Sequence, residues 1–160
     1  MQGPESQRHE LISFLRGTDF FGDFSDGQLG RIADTCSRRA YKAGTVVFDE
    51  DSESSELFVL EKGKVRVRFK WGAQGEDVDL YMLREGQVFG WSGLWDDVER
   101  SGSAVAMEDS TCLVMRGPNL QHLFKQDYGL GYRFMAELAA VIASRVAALK
   151  IHYLDFDGLE

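Results

Sequence analysis

Positive charge is in short supply in this chain. Lys and Arg together number 18 against 26 Asp and Glu, a formal net charge of −8. A nucleic-acid surface works through clustered Lys and Arg that release counterions from phosphates, so this balance argues against one and leaves room only for a local basic patch. Long apolar runs are also lacking. Nothing approaches the roughly 18 residues that cross a bilayer, and the opening MQGPESQRHE has no basic-then-apolar order of a secretion signal. A soluble, cytoplasmic chain with no membrane partner is expected. Cysteine is limited to Cys36 and Cys112, without C-x-x-C spacing, which leaves redox and zinc motifs unsupported and predicts buried free thiols.

Histidine is scarce as well. His9, His122 and His152 all lie outside the β-rich middle described below. A transition-metal site of imidazoles and a carboxylate on neighbouring strands cannot be assembled from them, nor can a haem or iron–sulfur ligand set. The fragment GWSG at 90–93 lacks the spacing of a G-x-S-x-G nucleophile elbow. No catalytic residue and no metal ligand is assigned, and no enzyme activity is expected.

What the chain does contain is enough apolar content, 44% of 160 residues, for one domain with a proper core. Residues 1–8 are polar and aperiodic and read as a loose terminus. His9 to Leu15 suits a short helix ended by Gly17. Ser25 with Gln28 forms a capping-box signature and opens a second helix, with Leu29, Ile32, Ala33 and Cys36 on one face. After Arg39 the period turns strand-like: Tyr41, Thr45–Phe48, Leu57–Leu60, Val65–Trp71, Val78–Leu83, Ser103–Met107 and Thr111–Met115, with turns at Ala43-Gly44, Lys62-Gly63 and Gly72–Gly75. Many short strands joined by regular turns predict a mostly β fold, an antiparallel β-roll resembling a jelly roll. The expected plan is one domain: a helical unit at 9–37, the β-roll at 39–116 and C-terminal helices at 118–151.

Two charged stretches stand out. The loop DEDSESSE at 49–56 carries five carboxylates but lacks the spacing and central Gly of a calcium loop, and reads as solvated. The strand Val65–Trp71 alternates, with Val65, Val67, Phe69 and Trp71 on one face and Lys64, Arg66, Arg68 and Lys70 on the other. That basic ridge is either a surface for an acidic partner or the wet face of a half-buried strand. Pro118 suits a helix start. A long helix follows from Leu130 to Ile151, in which Met135, Leu138, Ile142, Val146 and Leu149 make one apolar stripe beside Ala136, Ala139, Ala140, Ala143 and Ala147, and Arg145 interrupts any strict heptad. The stripe serves either packing on the barrel or pairing with a second copy as a homodimer.

The stretch Gly86–Ala106, GQVFGWSGLWDDVERSGSAVA, carries the chemistry. Gly90 and Gly93 flank Trp91-Ser92, and Arg100 follows an acidic loop, so backbone N–H groups and one fixed cation can converge on an anion. The order Phe89-Gly90, Leu94, Arg100-Ser101-Gly102-Ser103 and Ala106 resembles the phosphate-binding cassette of the cyclic-nucleotide-binding domain family. The resemblance runs from about Phe14 to Leu149, and Gly44, Gly63 and Gly86 fall at the family's usual turns. It implies a β-roll sensor domain like that of catabolite-activator-type regulators, binding cAMP, cGMP or another small anion. The implied ligand-binding set is Phe89, Gly90, Trp91, Ser92, Gly93, Leu94, Arg100, Ser101, Gly102 and Ser103. By resemblance Arg100 pairs with the cyclic phosphate, the small residues offer backbone donors, and Ser103 falls where cGMP-preferring members often carry a hydroxyl.

Two departures accompany it. Trp91 stands where the family has the Glu that accepts from the ribose 2′-OH, and an indole has only a donor to offer. Asp51-Ser52 stands where a Gly-Asp pair is common. Full-length transcription factors of this type continue into a helix-turn-helix domain. Here only IHYLDFDGLE follows Lys150, so the chain reads as a free-standing sensor or as the sensor portion of something longer, with that ending packed on the barrel or against a partner. Three readings stay open: an anion sensor acting through the long helix by population shift, cyclic-nucleotide binding weakened by the missing Glu, and a degenerate module without a ligand that serves as a dimerisation or protein-interaction platform. In the last, Arg100 pairs with Asp96, Asp97 or Glu99 on its own loop.

Overall fold

The computed structural model describes residues 3–154, with side chains as far as residue 150. The expectations placed on the ending IHYLDFDGLE and on His152 lie outside the described side chains. Helix α1 spans Pro4–Arg16, starting five residues before the sequence-based estimate. Pro4 sits in its first turn, where the missing N–H costs nothing, and Glu5 complements the positive end of the helix dipole. A polar, aperiodic run is still a helix when its start is preset in this way.

Helix α2 spans Asp26–Ala33 and carries both bonds of the expected capping box: Gln28 N–H donates to Ser25 Oγ at 3.2 Å and Ser25 N–H to Gln28 Oε1 at 3.0 Å. Cys36, expected on this helix, instead opens strand β1 (Cys36–Tyr41), while its side chain still packs on the helical core.

The remaining strands are β2 (Val46–Phe48), β3 (Glu56–Lys62), β4 (Val65–Trp71), β5 (Glu76–Leu83), β6 (Val88–Phe89), β7 (Ser103–Ala106) and β8 (Ser110–Arg116). They form two antiparallel four-stranded sheets, ordered β1-β8-β3-β6 and β2-β7-β4-β5. This is the expected β-roll with flanking helices. The first sheet is a wall between two cores. Successive strand residues point to opposite faces, so Leu57 and Val59 of β3, with Leu113 and Met115 of β8, meet the helices. Phe58 and Leu60, with Cys112 and Val114, fill the barrel.

Helices α3 (Gly117–Gln126) and α4 (Tyr128–Leu154) complete the chain. At their junction Asp127 accepts from Leu130 N–H at 3.0 Å and from Arg31 at 3.0 Å, which ties the break to α2. The buried stripe of α4 begins Leu130, Phe134, Leu138, so it includes a Phe that the expected stripe omitted, whereas Met135 is exposed. Phe134 lies 5.1 Å from the Phe20 and Phe124 rings and 6.0 Å from Phe21, and this aromatic cluster sets the helix's rotation.

The basic ridge on β4 is matched by its neighbour strand. Arg66 reaches Asp79 at 3.4 Å, Arg68 reaches Asp77 at 3.2 Å and Lys70 reaches Asp77 at 3.1 Å. A register shift between Val67 and Arg68 breaks the strict alternation, and Trp71, expected inside, is 68% exposed. Among the described residues no group of three or more His, Cys, Asp and Glu could hold a metal, and no helix is long and apolar enough to cross a membrane. Phe134→Ala removes the ring that anchors α4. It is expected to lower the unfolding free energy by about 3–5 kcal/mol in urea denaturation.

Candidate ligand-binding pocket

The cassette is a turn held from three sides. After β6 the chain enters the left-handed region at Gly90, φ 69°, and then makes a short 3₁₀ turn over Trp91–Leu94. A Cβ at Gly90 would stand 2.8 Å from Arg100 Nη1 and from the Phe58 ring, so both backbone conformation and space demand glycine. The turn is pressed onto β3, since a Cβ at Gly93 would collide with the Glu56 backbone.

Arg100 is buried, only 4% exposed. Its Nη1 donates to the Gly90 carbonyl and its Nη2 to the Glu56 carbonyl, each at 2.6 Å, and its Cζ lies 4.2 Å from the Phe48 ring centroid. The carboxylate pairing considered from sequence is therefore replaced by two backbone carbonyls and an aromatic face. Burial pushes the guanidinium pKa down to about 10, with the Glu56 charge opposing the shift. Its Nε–H is sealed from solvent and has no hydrogen-bond partner among the described residues. Around it the acidic loop acts as a brace through its backbone. Asp51 N–H donates to Arg100 O at 2.9 Å, and Arg100 N–H donates to Ser52 O at 3.1 Å.

A cavity of about 140 Å³ lies beside this arginine. Gly90, Trp91, Ser92, Arg100, Ser101 and Gly102 of the predicted set line it, together with Phe48, Val67, Leu80 and Tyr81 of the barrel and Ile142, Arg145, Val146 and Leu149 of α4. Four predicted residues do not. Phe89 is buried in the barrel core, stacked 5.2 Å from Phe58, and Leu94 belongs to the helical core. Gly93 packs on β3, and the Ser103 hydroxyl accepts from Glu50 N–H at 2.9 Å.

Arg145 is the residue that sequence reasoning undervalued. Its Nη2 donates to the Val88 carbonyl at 2.6 Å, and its Cζ sits 4.5 Å from the Tyr81 ring and 4.9 Å from the Trp91 ring. Its Nη1 has no partner among the described residues, and burial lowers its pKa. Trp91 thus presents its ring to a cation. The available signal was that Arg145 is the only cation between Phe134 and Leu149, on the face of α4 that turns inward. A larger cleft of about 680 Å³, between α1, the Glu85–Val88 turn and α4, lies on another side of the same arginine.

Comparison with known proteins identifies the family and the fold. The family described as "Cyclic nucleotide-binding domain" matches residues 38–127. The cyclic AMP receptor protein of Thermus thermophilus is 30% identical over 149 residues, covering 89% of this chain and 65% of that protein. The cGMP-dependent protein kinase 2 of Mus musculus is 30% identical over 112 residues, 69% of this chain but 15% of the kinase. The chain thus spans less than two thirds of either relative. A cyclic nucleotide-binding domain from Methylobacillus flagellatus superposes with a TM-score of 0.81 at 19% identity, over 97% of this chain and 86% of that one, a likeness of fold.

Because Arg100 satisfies two part-buried carbonyls, it carries structural weight regardless of any ligand. Arg100→Ala is expected to lower ligand-free stability by about 2–4 kcal/mol, the scale of two part-buried acceptors left unmade. Urea denaturation of the two proteins checks it, and equal midpoints would show that the bonds contribute nothing.

Proposed function

The chain belongs to the cyclic nucleotide-binding domain family, and from that premise we propose that it is a non-catalytic sensor module that binds a cyclic nucleotide or related small anion at the cassette and signals through α4. The observation that carries the reading is Arg100: a buried cation that lines the cavity, held rigid by the Gly90 and Glu56 carbonyls, with its Nε–H unbonded among the described residues. An anion there would meet a fixed donor and offset a charge that burial destabilises.

The cavity of about 140 Å³ is below the roughly 300 Å³ at which small-molecule sites begin. Ile142, Arg145, Val146 and Leu149 of α4 fill the difference. Ligand entry then requires the distal part of α4 to withdraw, while Leu130, Phe134 and Leu138 stay docked. The ligand favours the withdrawn packing because only that packing admits it, a population shift by differential affinity.

The outward face of α4 supports a homodimer. Ala136, Ala139, Ala140, Ala143 and Ala147 are exposed and let a second helix approach closely. The same face favours the second reading, a protein-interaction platform without a small-molecule ligand.

Calorimetric titration with cAMP and cGMP separates the two. Micromolar-range binding is expected, weakened at least about tenfold both in Arg100→Ala and in Ser101→Asp, which leaves the arginine's bonds intact but sets a like charge against the phosphate. No heat from either nucleotide with the unaltered chain leaves the platform reading. Sedimentation should give twice the 18.0 kDa chain mass, falling to the monomer in Ala139→Glu/Ala143→Glu. A monomer before substitution would remove the dimer.

A further inference from the structure

With α4 docked, the cavity beside Arg100 has no room for a nucleoside. Its volume of about 140 Å³ is on the scale of a few waters at about 30 Å³ each, which admits one tetrahedral oxyanion with its four oxygens and little more. The aromatic faces on which a base would stack are already engaged. Arg145 lies 4.5 Å from the Tyr81 ring and 4.9 Å from the Trp91 ring, and Arg100 lies 4.2 Å from the Phe48 ring. The lining is also one-sided: two guanidiniums reach it, and no Asp, Glu, Asn or Gln side chain does. Glu56, whose charge acts on Arg100, is spent on Arg39 at 2.9 Å.

We propose that in this packing the cavity is a site for a free tetrahedral oxyanion of the size of sulfate or phosphate, and that the anion holds α4 docked and so opposes a cyclic nucleotide at the same cassette. The oxyanion site stands on the geometry alone, and only the opposition rests on the reading of the cassette as a nucleotide site. A guanidinium carries five N–H donors. Arg100 commits Nη1 and Nη2 to the Gly90 and Glu56 carbonyls and keeps Nε–H unbonded among the described residues. Arg145 gives Nη2 to the Val88 carbonyl and keeps Nη1 unbonded among the same residues. Burial disfavours the charge on both, and two like charges lining one cavity raise that cost further. An anion in the cavity offsets both charges at once.

The two ligands favour opposite packings of α4. Arg145 belongs to the oxyanion site only while Ile142, Val146 and Leu149 stay against the barrel, so the small anion binds the docked packing better. A nucleotide needs the volume that those side chains occupy and binds the withdrawn packing. Linkage then requires each ligand to weaken the other by the same factor. The lining also sets the character of the anion. Tyr81, Ser92 and Ser101 offer only neutral hydroxyls as side-chain acceptors, so sulfate, which has no proton to donate, suits the wall at least as well as hydrogen phosphate.

The test is titration calorimetry of the unaltered chain with sodium sulfate, sodium phosphate and phenyl phosphate, at an ionic strength held constant with chloride. Saturable binding with a Kd of about 1 mM or tighter is expected for sulfate and phosphate, sulfate no weaker than phosphate. Phenyl phosphate carries the same anionic group on a ring too large for the cavity and is expected to bind at least about tenfold more weakly. Ser101→Asp, which leaves the bonds of Arg100 in place, and Arg145→Ala should each weaken sulfate at least about tenfold. No saturable heat from sulfate or phosphate, or phenyl phosphate matching phosphate, overturns the oxyanion site. Amide hydrogen exchange over residues 142–149 should slow at saturating sulfate and not in chloride; unchanged exchange overturns the docking of α4 by the anion. Sulfate at about ten times its own Kd is expected to raise the apparent Kd of cGMP about tenfold. An unchanged value overturns the opposition and leaves the nucleotide reading standing. Absence of heat from cGMP and cAMP overturns that reading and the opposition with it, while the sulfate titration decides the oxyanion site by itself.

Discussion

Strand β3 is the constraint on which the rest of the molecule depends. Leu57, Phe58, Val59 and Leu60 are all essentially inaccessible, yet neighbouring residues of a strand face opposite ways. Both faces must therefore be covered: one by α1, α2, α3 and α4, the other by the second sheet of the roll. A β-roll alone would leave Leu57 and Val59 wet, and the helices alone would have nothing to close against. The same strand supplies the Glu56 carbonyl to Arg100 and the backbone against which Gly93 is pressed. Core and cassette thus share one element, which cannot yield without opening both cores.

The buried Arg100 and the half-buried Arg145 are accommodated in similar ways. Each gives one or two N–H groups to backbone carbonyls at 2.6 Å, lays its plane over aromatic rings and keeps one N–H unmatched. Burial disfavours the charge in both. They differ in what they are mounted on. Arg100 sits between the braced loop and β3, whereas Arg145 sits on the distal half of α4, beyond the aromatic cluster that anchors the helix.

Much of this was legible before the fold. The capping box at Ser25 and Gln28, the turns at Gly44 and Gly63, and the strand runs other than the short β6 follow from local rules that act over a few residues. Six of the ten predicted cassette residues line the cavity for the same reason, since a short turn carries its neighbours with it. The four that do not are explained by packing. Phe89 and Leu94 are the apolar ends of the turn and go to the cores, Gly93 is spent on contact with β3, and Ser103 is occupied by the acidic loop. The basic ridge on β4 stayed open between a partner surface and a wet strand face because the carboxylates it meets, Asp77 and Asp79, sit on the adjacent strand.

The amino-acid order by itself determined the β-roll with its helical flanks, because periodicity, capping and turn chemistry are short-range properties, and its resemblance to the cyclic-nucleotide-binding domain family placed the cassette and the departure at Trp91. Tertiary structure alone decided that Arg100 binds carbonyls and not its neighbouring carboxylates, that α4 turns Phe134 inward and Met135 outward, and that Arg145 meets Trp91 across 54 positions of sequence. Those contacts depend on which faces remain to be covered once the two sheets have closed, and no local pattern carries that information.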